Sequence, residues 1–284
     1  RSTNLLNKTM LNKTAFKPLL VAALVLGSVA VQAHRAWILP QETVLSGEGR
    51  WVSFDAAVSN DIFLANYNPG RFNDVKVQQP DGSETGVQNL HTGKYRTNFD
   101  VELKQEGTYR IGVASSGLRA MWEEDGKRRM YPGRGEQYSA AGFKKAVPEN
   151  AEKLVVSQAS RRLETFVTLG APSEKTLQPT GEGLELVPVT HPNDLYAGEA
   201  AEFRFVMDGE PVQGVEVTLI REGTRYRNSQ EEITVTSDKN GLVTVNWNGA
   251  GRYFLEAEYK DNKAKKPATE RSGTYVAVLE VLPD

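Results

Sequence analysis

Apolar and polar residues alternate with period two in short runs along most of this chain. Trp51-Val52-Ser53-Phe54-Asp55-Ala56-Ala57-Val58, Phe203-Arg204-Phe205-Val206-Met207 and Val215-Glu216-Val217-Thr218-Leu219 are examples. Such alternation marks strands with one buried face. Asp81-Gly82, Asp208-Gly209 and Asn240-Gly241 fall between runs of this kind, and these pairs favour tight hairpins because both residues tolerate a positive φ. Strands broken by turn signals at spacings of roughly 8–12 residues predict an all-β chain of sandwiches rather than an α/β fold.

The pattern also repeats. The first half runs from Ile38-Leu39-Pro40 through Gly47-Glu48 into a strand, and later from Phe99–Leu103 to Gly107-Thr108-Tyr109. The second half runs from Leu186-Val187-Pro188 through Gly198-Glu199 into a strand, then from Val243–Trp247 to Gly251-Arg252-Tyr253. This order predicts two immunoglobulin-like β-sandwich domains, 34–171 and 183–284, joined by a linker at 172–182. The tyrosine of each Gly-x-Tyr start is expected to pack its ring and hydrogen-bond back across the sandwich edge. An insertion at about 117–150 interrupts the first domain, and Ala140–Ala146 ahead of Pro148 predicts a helical turn or two there. Long excursions of this kind often carry function.

The first 33 residues read differently. Lys13 and Lys17 precede an apolar run, Leu19–Leu26, and small residues then lead to Val31-Gln32-Ala33. That is the layout of a cleaved signal peptide, with Met10 as the natural start and the residues before it an upstream extension. The run is too short to span a bilayer, and no other stretch approaches the roughly 18 apolar residues required. A periplasmic location is the expectation. The chain has no cysteine, so a disulfide framework is excluded and the core alone must hold the fold. Residues 1–33 hold four basic and no acidic residues, so their removal moves the formal charge from −2 to −6. A nucleic-acid partner, which wants a basic face, is not expected.

Cleavage after Ala33 would expose His34 as the first residue, putting a free α-amine and an imidazole on one residue. The α-amine titrates at roughly 7.7–8.0, low enough to yield its proton to a metal near neutral pH. His34 is therefore the first candidate metal ligand. The chain has three histidines. His191, in the loop Val189–Asp194 after the Pro188 strand, falls at the same end of the second domain as the segment after Pro40 in the first, and is expected to reach His34 as second ligand. His91, in Leu90-His91-Thr92-Gly93, is the third candidate, in a surface turn. Nitrogen ligands suit copper or nickel, with zinc and iron possible.

Asp55, Asp61 and Glu164 are carboxylates available to complete a shell, although residues of this type are more often solvated or ion-paired. Gly-x-Ser-x-Gly and His-x-x-x-His spacings are absent, Gly133-Arg134-Gly135 is too short to cradle phosphate, and Ser237–Gly241 reads as a hairpin turn. No catalytic residue is assigned and no enzyme is expected.

Several of these segments resemble the domain-of-unknown-function 4198 (DUF4198) family: His34-Arg35-Ala36-Trp37-Ile38-Leu39-Pro40 after the leader, Gly183–Pro192, and Thr236–Gly241 followed by Gly251-Arg252-Tyr253. The resemblance covers 34–284. It implies a periplasmic protein related to a nickel-uptake substrate-specific component, accompanying transition-metal import systems, with the mature chain beginning at His34. The expected function is transition-metal binding that assists uptake or homeostasis, with the ion itself and a metal-uptake membrane transporter as partners. One alternative is a metal-free adaptor docking on an outer-membrane receptor. Another is a copper oxygenase using the His34 chelate with a second histidine.

Overall fold

A computed structural model describes residues 34–284 apart from Arg134; the leader and its cleavage site lie outside the described residues. The first half holds β1 (Arg35–Pro40), β2 (Val44–Leu45), β3 (Arg50–Ser59), β4 (Lys76–Gln78), β5 (Glu84–Gly86), β6 (Gln88–Thr92), β7 (Thr97–Leu103), β8 (Gly107–Glu124) and β9 (Lys127–Tyr131). Helix α1 (Ala140–Ala146) then precedes β10 (Glu152–Leu169). The second half holds β11 (Leu184–Pro188), β12 (Ala201–Met207), β13 (Glu210–Pro211), β14 (Glu216–Arg221), β15 (Ile233–Thr236), β16 (Leu242–Val245), β17 (Gly251–Asp261) and β18 (Glu270–Val281). Among the described residues the fold is all-β with one short α-helix, in the excursion, and its sheets pack around apolar cores as sandwiches.

Among the described residues the strands form three sheets. One, ordered β1-β3-β7-β6, comes from the first half; another, built on β11, β12, β13 and β16, comes from the second. The third crosses both halves in the order β15-β14-β17-β18-β10-β8-β4-β5. Its joint is a parallel pairing of β10 with β18, from Ser157 opposite Glu270 to Thr165 opposite Val278. The sequence reading does not anticipate a sheet shared in this way.

The sheet is apolar on both faces near this joint. Tyr253-Phe254-Leu255 and Tyr275-Val276-Ala277-Val278-Leu279 are unbroken apolar runs, as expected of strands covered on two sides. Phe254, Val276, Val278 and Ile220 point into a core with Phe54, Phe99 and Ile38 of the first half. Their chain neighbours Leu255, Tyr275, Ala277 and Leu219 point the other way, into a core with Phe203, Phe205 and Leu186. Adjacent strand residues thus serve cores on opposite sides of one sheet. Buried Glu164 and Glu185 lie on the second side. Glu164 accepts the Tyr275 hydroxyl at 2.7 Å and neighbours the Arg162 guanidinium at 3.7 Å, and Arg162 also meets Glu185 at 3.4 Å. Glu164, considered above as a ligand, is thus occupied inside the fold.

The internal echo is visible in the geometry. Pro40 lies opposite Phe54 and Pro188 opposite Phe203 in equivalent antiparallel pairs. Gly107 and Gly251 open β8 and β17 with φ of +129° and +140°, a region that L side chains rarely adopt. Two residues on, Tyr109 donates to the Gln105 carbonyl at 2.9 Å and Tyr253 to the Gly249 carbonyl at 2.7 Å. Each tyrosine therefore closes its corner four residues back, as the sequence predicts.

The excursion is an arm. β8 and β10 pair beyond the sandwich as far as Glu123 and Glu152, and β9 joins their outer end. The helix within it runs from Ala140 to Ala146, its N-terminus capped by Ser139, whose Oγ accepts the Gly142 N–H at 3.0 Å. Trp122, Tyr131, Val147 and Val156 form a separate small cluster there.

Replacing Tyr253 by Phe removes a buried donor and leaves the Gly249 carbonyl unpaired, at a cost of about 1–2 kcal/mol. Urea unfolding should show a lower midpoint with unchanged slope; an unchanged midpoint would mean that the corner bond contributes nothing.

Candidate functional site

Cross-strand register places Ser115 (β8), Arg161 (β10), Thr274 (β18), Glu258 (β17) and Glu216 (β14) in one row across the shared sheet. Two residues further along the strands, the same face carries Val113, Leu163, Val276 and Glu256; after two more it carries Ile111, Val278 and Phe254. This face is therefore core where β1 and its sheet cover it, and becomes hydroxyl-bearing and charged where that cover stops. There a groove of about 720 Å³ opens over Ser115, Arg161, Thr274 and Glu258, with His34 and Asp74 among its lining residues. The arm closes another side through Pro132 and Tyr138. The Tyr138 ring lies against Gly117, where a Cβ would come within 2.4 Å of it, so this wall needs glycine. Arg71 ties the loop before Asp74 to the arm by donating to the Gly135 carbonyl.

His34 is exposed at the groove, immediately before β1. Its ring stacks on Tyr67 with centroids 3.8 Å apart and planes within 10°. The next residue, Arg35, lies over the Phe254 ring at 5.8 Å, and its Nη1 is buried without a partner. The floor is electrostatically unsettled. Burial raises the pKa of Glu256, helped by Glu258 and opposed by Arg35 and Arg161. Arg161 is open to solvent from the groove, yet the surrounding protein desolvates it enough to lower its pKa, with Glu256 opposing and Arg119 reinforcing the shift. Glu258 and Glu216 stand directly opposite one another, an unfavourable placement for like charges.

The other two histidines are not brought to His34. His91 is exposed on β6, at the opposite edge of its sheet from β1, three strand spacings of about 4.8 Å away. His191 sits on Thr108, seven residues before Ser115 along β8, a separation on the order of 20 Å in an extended strand. Its nitrogens are occupied: Nδ1 accepts the Asn193 N–H at 3.1 Å, and Nε2 lies 3.0 Å from Thr108 Oγ1 and 3.2 Å from the Ser173 carbonyl. Thr168 donates to Asn193 Oδ1 at 2.8 Å, and Asn193 donates to the Phe166 carbonyl at 2.9 Å. His191 thereby clasps the expected linker to β8 and β10. The expected pairing of His34 with His191 is not seen because the Pro188 loop packs at the other end of the β8–β10 ladder. A second histidine beside His34, which a copper oxygenase would use, is not found among the described residues.

The carboxylates are also spoken for. Asp55 accepts from Asn98 and Arg96, and Asp61 from Asn66. Among the described residues no three His, Cys, Asp or Glu side chains converge on a common metal position. Arg161 and Arg119, which the groove makes prominent, drew no attention in the sequence, because only strand register shows that they share its face.

The model of the family described as "Domain of unknown function (DUF4198)" matches residues 31–261. The chain belongs to the DUF4198 family. No curated protein matches this DUF4198 chain in sequence. Among solved structures, the human OSCAR ligand-binding domain aligns at 12% identity over 88% of this chain and 100% of its own, with a TM-score of 0.21. A DUF4785 family protein from Legionella pneumophila aligns at 10% identity over 77% of this chain and 50% of its own, with a TM-score of 0.22. A marsupial T cell receptor aligns at 10% identity over 88% and 74%, with a TM-score of 0.20. At these scores the likenesses carry no functional argument. Among the described residues of the DUF4198 chain, no helix is long and apolar enough to cross a membrane.

Burial lowers the pKa of His191 in this DUF4198 protein, with the Ser173 carbonyl, Asp194 and Glu174 opposing the shift. The unfolded chain then takes up a proton near pH 6.5 that the folded chain resists. The histidine's contribution to stability is complete above that pH, declines as the pH falls toward the folded pKa, and levels off below it. His191→Gln should flatten this slope: urea midpoints at pH 7.5 and pH 5 should differ less in the variant than in the wild type. Equal differences would remove His191 as a source of acid sensitivity. Gly117→Val should displace Tyr138 and destabilise the arm by about 1–3 kcal/mol, seen as faster limited proteolysis between Arg128 and Lys145.

Proposed function

We propose that this DUF4198 protein is a periplasmic transition-metal-binding accessory protein that assists metal uptake or homeostasis. The observation carrying the reading is the position of His34, exposed at a polar groove with its ring steadied by Tyr67. Processing after Ala33 would add an α-amine beside the imidazole. Asp74 lines the same groove and adds a carboxylate to its wall. Copper and nickel suit such nitrogen donors best, followed by zinc and iron. A donor set dominated by one residue leaves coordination positions open, which fits a protein that receives an ion and passes it to a transporter. His191 and His91 are not part of the proposed site.

Calorimetric titration of protein beginning at His34, beside protein with one extra residue before it, tests this reading. Copper or nickel should bind the first form, and the extension should weaken binding by on the order of tenfold or more, since the amine becomes an amide. Equal or absent binding in both would remove the chelate. The metal-free adaptor reading would then lead, and its available face is the exposed strip of Met130, Met121 and Val155, aligned across three strands of the arm.

A further inference from the structure

Several guanidinium groups elsewhere on the shared sheet are engaged. Arg162 meets Glu164 and Glu185, Arg252 is held by Glu222, and Arg271 bridges Asp208 and Asp261. Arg161 differs. It stands in the groove floor between Ser115 and Thr274, and its side chain makes no hydrogen bond or close ion pair with a described residue. Its nearest electrostatic relations are attraction to Glu256 and repulsion from Arg119, which is likewise unpaired and lines the same groove. Exposed on the groove floor, this guanidinium has all its donors open to a ligand. Its planar fork matches a carboxylate with two parallel hydrogen bonds.

The groove's size leads the same way. A bare ion needs a cage a few ångströms across, whereas about 720 Å³ lies in the range that holds a small organic molecule. Its charges are also divided. Arg161 and Arg119 suit an anionic group, while His34, Asp74, Glu256 and Glu258 suit a cation. We propose that Arg161 anchors a carboxylate of the groove's cargo, so that the metal is carried as a carboxylate chelate rather than as a bare ion. This deepens the metal-binding reading and rests on it for the identity of the cation. The carboxylate oxygens fill the coordination positions that His34 leaves open.

The experiment is equilibrium dialysis of the full processed chain against radiolabelled citrate, with and without copper(II), reading citrate and metal content separately. Wild-type protein should retain about one citrate per chain when copper is present. Arg161→Gln should lower citrate affinity tenfold or more while leaving copper bound without citrate unchanged, and Arg161→Lys should fall between because it lacks the fork. The melting temperature of Arg161→Gln should match that of the wild type, since an exposed side chain without a protein partner has been exchanged. Citrate that binds without copper and is lost in Arg161→Gln upholds the carboxylate site as one for the free anion and counts against the metal reading. Copper that binds while citrate passes freely keeps the metal reading and overturns this proposal, as does citrate retention unaltered in Arg161→Gln.

Discussion

The parallel pairing of β10 with β18 is the joint on which the rest of this molecule hangs. Because hydrogen bonds run unbroken from β8 through β10 and β18 to β17, side chains from both halves fall into common cross-strand rows. Each strand near the joint must then satisfy two cores at once, and alternate residues turn to opposite faces to do so. That requirement accounts for the unbroken apolar runs at Tyr253–Leu255 and Tyr275–Leu279. It also ties the cores together: a substitution in β18 is felt on both sides of the sheet.

The groove follows from the same ladder. The sheet that begins with β1 covers only part of one face, so the row from Val113 to Glu256 marks the change from apolar core to charged floor. His34, directly before β1, is carried to that edge by the strand that ends the cover. On the opposite face, Tyr275 donates to Glu164, and Arg162 is ion-paired with Glu164 and Glu185 within the interior. One register step away, Arg161 and Glu258 are left without such partners. The two faces of one sheet therefore differ: one encloses its charges, and the other exposes Arg161 and Glu258 to the groove.

Much of the architecture was legible in the sequence. Period-two alternation located the strands, the Gly-x-Tyr starts located both corners, and Ala140–Ala146 ahead of Pro148 was read as a helical turn or two. The prominence of His34 came from its place after the leader pattern, and the family membership from motifs spread across both halves. The partner expected for His34 was not legible. His191 was judged by the position of its loop in the repeat, and the repeat does not say which end of the β8–β10 ladder that loop packs against.

The sequence alone determined which segments are strands, where they turn and which residues face a core, because these depend on local periodicity and on turn residues that act within a few positions. It also determined the chemical inventory: no cysteine, three histidines and an acidic balance. Only the tertiary structure decided that the two halves share a sheet, that His191 is spent on Thr108, Ser173 and Asn193, and that Arg161 lies unpaired in the groove with His34. Those outcomes depend on register between strands more than 100 residues apart in the chain, such as Arg161 and Thr274. A one-residue slip would send each side chain to the other face, and no local pattern encodes that choice.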